Sequence, residues 1–465
     1  MRIAFFTPLA PLQTASADLM EGLLPHLVKY AQIDLFIDDG YGPINPLILA
    51  RSKVYNYREF PTRAEDYDLT VYVIGNNPDF HGYMYDILQR YPGVVIIHDL
   101  ILHHFIVGLT LARGDMEGYL SEMRSAYGEE GVRAAQRVIA GEHGDIYAAY
   151  PLVERFVDAS LGVIVTNDFA MREVSARRPN AHVVCIYHHF FLPYGFPNQV
   201  DAKALRAQLG LEDRFVLATF GIFIPPKRLD VCLRVFSRFL ATHPDAVYLL
   251  VGSHSPHYDV PGMIRNLGLE GKVVLTGWME PIPFVKQMFV PDIAIHLRYP
   301  DIGGTPYTPV RLLGLGVPTI LSDIESVAEI PEGCCAKIPP DVYEEETLLA
   351  TLEYLAAHED VRRKMGENGR QLIEENHSCD KIARQYIDFF EEIQASSTYP
   401  PSPSNGVRAY DQDLVREVAA ALAEWGVTED DEALLQPVAK TLAGLGVFQA
   451  TCPEPSRRAG ETSLD

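Results

Sequence analysis

Lys227 stands in the run Gly221-Ile-Phe-Ile-Pro-Pro-Lys-Arg-Leu-Asp230, after an apolar segment ending at Phe220 and before a helical pattern beginning near Arg228. Gly221 lets the backbone turn there and approach a ligand. An ammonium at such a helix start, aided by free helix N–H groups, suits a diphosphate that gains charge as it leaves. The competing reading is a solvated lysine in a strand-to-helix loop, and from physics alone the two stand level. A second group lies between Val94 and His104. His98 closes an apolar run, so its ring is expected at a strand end facing a cleft; the alternative is a histidine satisfied in the core. His103 and His104 follow one turn on, where packing or a solvated face competes with a place in the cleft. His188 and His189 end a later apolar run and are candidates for lining the same space.

Other chemistries lack their residues. There is no H-x-x-x-H helix and no D-x-D after a strand. The nearest acidic pair, Asp323 and Glu325, reads as a cap for the following helix, so no metal and no cofactor are expected. Without G-x-S-x-G there is no nucleophile elbow, and without G-x-G-x-x-G a nicotinamide enzyme loses its main signal. The formal net charge of −23 at pH 7 argues against a nucleic-acid partner. Cys185, Cys232, Cys334, Cys335, Cys379 and Cys452 form no C-x-x-C pair, which points to a reducing cytosol. Thr7-Pro8 interrupts the N-terminal apolar run too early for a signal peptide, and no segment reads as a membrane span.

The elements that must position these residues follow from periodicity. Short apolar runs (3–7, 33–37, 69–74, 94–98, 162–165 and 182–186) alternate with helical patterns at 17–30, 116–139 and 147–159. After a Pro- and Gly-rich break at 191–199 the alternation restarts. Strands are then expected at 215–220, 247–251, 273–275, 293–296 and 319–321. The intervening helices are expected at 201–209, 228–242, 260–267, 310–314, 344–358 and 360–375. This predicts an α/β chain of two doubly wound, Rossmann-like domains facing across a cleft, with ligands at the carboxyl ends of the strands. The expected bounds are 1–196 for the first domain and 200–379 for the second. A Ser- and Pro-rich linker is expected at 396–410, two amphipathic helices at 411–448 and a disordered tail at 449–465.

The spaced set of motifs resembles family 4 retaining glycosyltransferases, also called glycosyl transferases group 1, over most of residues 210–395. Phe220–Asp230 is similar to that family's phosphate loop, with Lys227 at its diphosphate-binding lysine. Leu250-Val-Gly-Ser253 and Val274-Leu-Thr-Gly-Trp278 are similar to the next strand and to the segment against the donor base. Leu297-Arg-Tyr-Pro300 through Asp323 resembles the donor loop, helix and strand. A helix at 380–395 is implied to cross back to the first domain. The resemblance implies donor contacts from Gly221, Lys227, Arg228, Gly252, Trp278, Arg298, Gly304, Thr305 and Arg311. Gly304, or its neighbour Gly303, and Arg311 stand where the family usually carries two glutamates. In the first half, Gly75-Asn76-Asn77 with His81, and His98-Asp99 through His103, resemble the acceptor side.

The implied activity is transfer of a sugar from a nucleotide diphosphate sugar to an acceptor hydroxyl with retention, in glycan or glycoconjugate synthesis. Lys227 and His98 are the catalytic candidates. The alternative is a divergent, non-catalytic sugar-nucleotide or glycan-binding protein of the same fold. The expected partners are a nucleotide sugar and a glycan or glycolipid acceptor, with self-association through the C-terminal helices. The expected location is cytoplasmic, with peripheral attachment at the inner membrane face left open.

Overall fold

The computed structural model describes residues 1–142 and 145–396, together with 418, 422, 431 and 435–438. Beyond Ser396, residues 418, 422 and 435–438 are helical. Otherwise the linker expected beyond Ser396, the helical pair at 411–448, the self-association assigned to it and the tail lie outside the described residues.

Two parallel sheets organise the unit Met1–Pro401. The first comprises β1 (Arg2–Phe6), β2 (Gln32–Ile37), β3 (Val54–Asn56), β4 (Leu69–Ile74), β5 (Val94–Ile97), β6 (Gly162–Val165) and β7 (Val183–Cys185). Their order is β3-β2-β1-β4-β5-β6-β7. The second comprises β8 (Val216–Phe220), β9 (Val247–Val251), β10 (Val273–Leu275), β11 (Ile293–His296), β12 (Thr319–Ser322) and β13 (Ala336–Ile338), ordered β10-β9-β8-β11-β12-β13. This is the expected pair of doubly wound sheets. The order reverses between β1 and β4 and again between β8 and β11, and loops diverge at such points to leave a crevice.

Both faces of each sheet are covered, which is why the strands read as continuous apolar runs. Side chains still alternate: Ile3 and Phe5 face one layer, Ala4 and Phe6 the other. The first layer is closed by Leu23 and Leu27 of the helix Ala15–Leu27 and by Tyr386, Phe390 and Ile393 of the helix Cys379–Ser396. Gly162 in β6 admits that last helix, since a Cβ there would lie 2.6 Å from Ile393 Cδ1. In β8, Leu217 joins the layer under the helix Leu229–Phe239, while Val216, Ala218 and Phe220 face the other side.

Three local expectations change. The helix expected over 147–159 is two short pieces, Ile146–Ala149 and Glu154–Asp158. Pro151 has no N–H to continue a helix, and Leu152 takes φ 59°. The helix Met116–Ile139 is interrupted at Gly128, whose φ of 60° and ψ of −147° are not helical. Asp323 does not cap the turn Glu325–Val327; the Asp301 carboxylate accepts the Ser326 N–H instead, at 2.9 Å.

Candidate functional site

The loops after β8, β9, β10 and β11 meet at one end of the second sheet. Gly221, at φ 101°, turns the chain out of β8, and a Cβ there would stand 2.6 Å from Lys227 Nζ. Lys227 folds back over this glycine and donates to the Phe220 carbonyl at 2.7 Å. Gly252 is equally constrained, because its Cβ would lie 2.2 Å from the Gly221 carbonyl oxygen. The Gly252 N–H reaches Thr276 Oγ1 at 3.2 Å, and Gly252 bridges to Gly277, which sets half-exposed Trp278 beside this loop. Thr308, in the first turn of the helix Tyr307–Gly314, has its hydroxyl 4.0 Å from the same Gly221 position. A lysine, a close-approach glycine and a helix N-terminus therefore surround one point, a combination suited to an anion.

The charges there act on one another. Burial first, and then Arg298, draw the Lys227 ammonium down to about 7. His296, at the end of β11, is pushed well below the usual imidazole range by burial and then by Lys227 and Arg298. Neither of its buried ring nitrogens has a hydrogen-bond partner. Arg298 itself is fixed through its backbone N–H, which donates to Ser322 Oγ at 2.8 Å.

Opposite them lie the strand ends of the first sheet. His98 follows β5, and burial together with His188, His81 and His189 holds its ring well below the ordinary value. Both His98 nitrogens are buried and unpartnered. The Asp99 carboxyl is raised by burial, against the opposing effects of Arg298 and the Asn76 N–H. Asn76 accepts from the Phe105 N–H at 3.0 Å, and Asn77 caps the helix Pro78–Arg90 by accepting from Asp79. His81 is buried, bound to the Val73 carbonyl at 2.9 Å and to Ser16 Oγ at 3.4 Å.

Several expected contacts are committed elsewhere. His103 is fully buried, bonded to the Tyr150 carbonyl and to Tyr119 Oη, and stacked on Tyr147, so it supports the first domain rather than facing the cleft. Arg228, in the left-handed region at φ 52°, pairs with buried Glu344. Arg311 is buried against Asp18. Thr305 Oγ1 donates to the Thr166 carbonyl at 3.0 Å and accepts from Asn167 Nδ2 at 3.1 Å.

These last contacts belong to a seam between the two halves. The Leu100 and Ile101 N–H groups both donate to the Ile302 carbonyl, at 3.0 and 3.2 Å. Asn167 donates to the Gly303 carbonyl at 3.0 Å, and His188 Nε2 meets the Thr305 carbonyl at 3.1 Å. Gly304 packs so closely that a Cβ would stand 2.0 Å from the His98 carbonyl oxygen. Sequence reasoning missed His296, Thr308 and Asn167. His296 ends a recognisable strand, so the rule that ligands meet strand ends could have found it. Thr308 lies in the first turn of the helix Tyr307–Gly314 and Asn167 caps the helix Asp168–Arg177, helix starts whose facing across the seam no local spacing announces.

Among the described residues, no group of three His, Cys, Asp or Glu is arranged to hold a metal, and no helix is long and apolar enough to cross a membrane.

Residues 201–372 match the family model described as glycosyl transferases group 1. N-acetyl-alpha-D-glucosaminyl L-malate synthase of Bacillus anthracis is 21% identical over 217 residues, 46% of this chain and 55% of that protein. MMP alpha-(1->4)-mannosyltransferase of Mycolicibacterium hassiacum is 24% identical over 203 residues, 43% of this chain and 48% of that protein. The match thus spans about half the length of these curated relatives. Among solved structures, Anabaena HepE in complex with UDP-glucose superposes with a TM-score of 0.61 at 16% identity, over 84% of this chain and 100% of that one.

Proposed function

We propose, for a chain whose residues 201–372 belong to the glycosyl transferases group 1, that it moves a sugar from a nucleotide diphosphate sugar to an acceptor hydroxyl with retention of configuration. The acceptor is a glycan or glycoconjugate. The observation that carries this is the convergence of Gly221, Lys227 and the N-terminus of the helix Tyr307–Gly314 at the sheet's switch point.

Lys227 would exchange the Phe220 carbonyl for the departing diphosphate. A dianion there offsets the burial and the Arg298 field that now weaken the ammonium, so binding holds the proton on Lys227. Charge gained by the leaving group then meets a preorganised cation and helix N–H groups. With the acceptor attacking from the leaving-group face, the departing phosphate takes the acceptor proton and no side-chain nucleophile is needed. His98, on the facing strand end, would line the space for the transferred sugar. The seam between the two halves keeps water out and aligns donor with acceptor. A cytoplasmic location belongs to the same proposal, because five described cysteines are free thiols.

UDP-glucose, bound in the HepE structure, is the first donor to test. Release of nucleoside diphosphate from a panel of nucleotide sugars, with the product's anomeric configuration read by NMR, checks the reading. Binding with no turnover of any donor, whatever the acceptor, would support the non-catalytic alternative instead.

A further inference from the structure

Asp99 is held at one carboxylate oxygen and open at the other. Oδ2 accepts the Asn76 N–H at 3.0 Å, and Asn76 is itself fixed through the Phe105 N–H. Oδ1 has no hydrogen bond among the described residues, and it is not one of the sealed, unpartnered buried atoms. It lies 3.0 Å from the point where a Cβ on Gly304 would stand, a point also 2.0 Å from the His98 carbonyl oxygen. While the seam is formed, position 304 can therefore carry no side chain, and the carboxylate nearest that point comes from the opposite half of the molecule. Arg298 acts electrostatically on both Asp99 and Lys227. Arg298 is thus a charged neighbour common to a cationic group, Lys227, and an acidic one, Asp99.

That polarity selects a ligand with two chemically different ends. Phosphate is attracted to Lys227 and repelled by Asp99, whereas a carboxylate with a free oxygen is a strong acceptor for hydroxyls. We propose that Asp99 is a specificity-determining residue of this cleft, accepting hydrogen bonds from the hydroxyls of the donor's sugar while the diphosphate lies at Lys227. The proposal rests on the sugar-donor reading of the site.

The test is calorimetric binding of UDP, GDP, UDP-glucose, UDP-N-acetylglucosamine and GDP-mannose to the full chain and to Asp99→Asn. Asparagine keeps the volume and an oxygen for the Asn76 N–H, so the loop is retained. The free nucleoside diphosphates are expected to bind the variant within about twofold of the unsubstituted protein. The preferred nucleotide sugar is expected to weaken about ten- to a hundredfold, the usual range for a hydrogen bond to a charged group. Asp99→Glu, which keeps the charge but moves it by one methylene, should change the ranking among the sugars and leave the diphosphates alone. Unchanged nucleotide-sugar affinity in Asp99→Asn, or equal loss for sugars and free diphosphates, would overturn the proposal. Failure of the unsubstituted chain to bind any of the five would instead overturn the sugar-donor reading on which it rests.

Discussion

Arg311 forks onto the carboxylate of Asp18, with hydrogen bonds of 2.7 and 3.0 Å from its two terminal nitrogens. The residues are far apart in sequence, one in the helix that follows β1 and the other in the helix Tyr307–Gly314. The guanidinium also lies 4.6 and 4.8 Å from the ring centres of Tyr307 and Phe191. A position from which a donor contact was expected therefore joins the two halves of the molecule.

Breaking that fork should destabilise the chain. The Arg311 side chain is 4% exposed and Asp18 is 32% exposed, so losing the carboxylate strands a buried cation whose partner was partly screened by water. Asp18→Ala is expected to cost roughly 1–3 kcal/mol, below the range for a fully buried pair. Arg311→Met combined with Asp18→Leu should recover much of the loss, because no unpaired charge remains. Urea unfolding of Asp18→Ala, the double variant and the unsubstituted chain gives the comparison; an Asp18→Ala midpoint equal to that of the unsubstituted chain would contradict it.

Gly304→Ala should separate the seam. Its methyl would stand 2.0 Å from the His98 carbonyl, a backbone atom that cannot swing aside. The loop must retreat, loosening the bonds from Leu100, Ile101 and Asn167. Overpacking of this kind costs roughly 1–3 kcal/mol. Turnover of a nucleotide sugar should fall much more than affinity for the free nucleoside diphosphate, since the Gly221 and Lys227 contacts are untouched. Steady-state kinetics beside calorimetry separates the two, and equal losses would count against a role for the seam in alignment.

How much of this was legible beforehand depended on the range of the interaction. The strands could be read because burial on both faces makes them uniformly apolar, and Gly221 with Lys227 could be read because a strand end and a helix start flank them. The three-residue edge strands β3 and β13 escaped notice, because Asn56 and Lys337 interrupt runs that were already short. The partners of Arg228, Thr305 and Arg311 are set by chain segments more than a hundred residues away. No local spacing announces such a pairing. His103 stood between packing and the cleft for the same reason: its place after His98 suggests the cleft, and Tyr119, Tyr147 and Tyr150 claim it.

Lys227→Ala should cut kcat by about a hundred- to a thousandfold, the scale for removing one preorganised group that meets developing charge. The fold should survive, since the ammonium donates to the Phe220 carbonyl at the end of β8, a bond outside the strand-to-strand ladder. Single-turnover measurements with a competent donor test this. A variant with full kcat would remove Lys227 from the catalytic machinery.

Lys227 should also leave a signature in stability against pH. Burial, and then Arg298, lower its value from 10.5 to about 7 in the folded chain, while the unfolded chain keeps the ordinary lysine value. Between those two values the unfolded state binds the extra proton, so stability rises with pH across that window. The ammonium is therefore a destabilising group. Its effect is complete below about pH 7, where both states are charged, and fades as pH climbs towards 10.5. Lys227→Met, similar in length and uncharged, is expected to be more stable than the unsubstituted chain at pH 6, with the gap closing towards pH 10. A saturating nucleoside diphosphate should reverse the order at pH 7, because it stabilises the chain that still carries the cation. Thermal unfolding of both proteins across this range, with and without UDP, decides the matter. A gap that widens with pH, or none at all, would mean that Lys227 is ordinarily solvated.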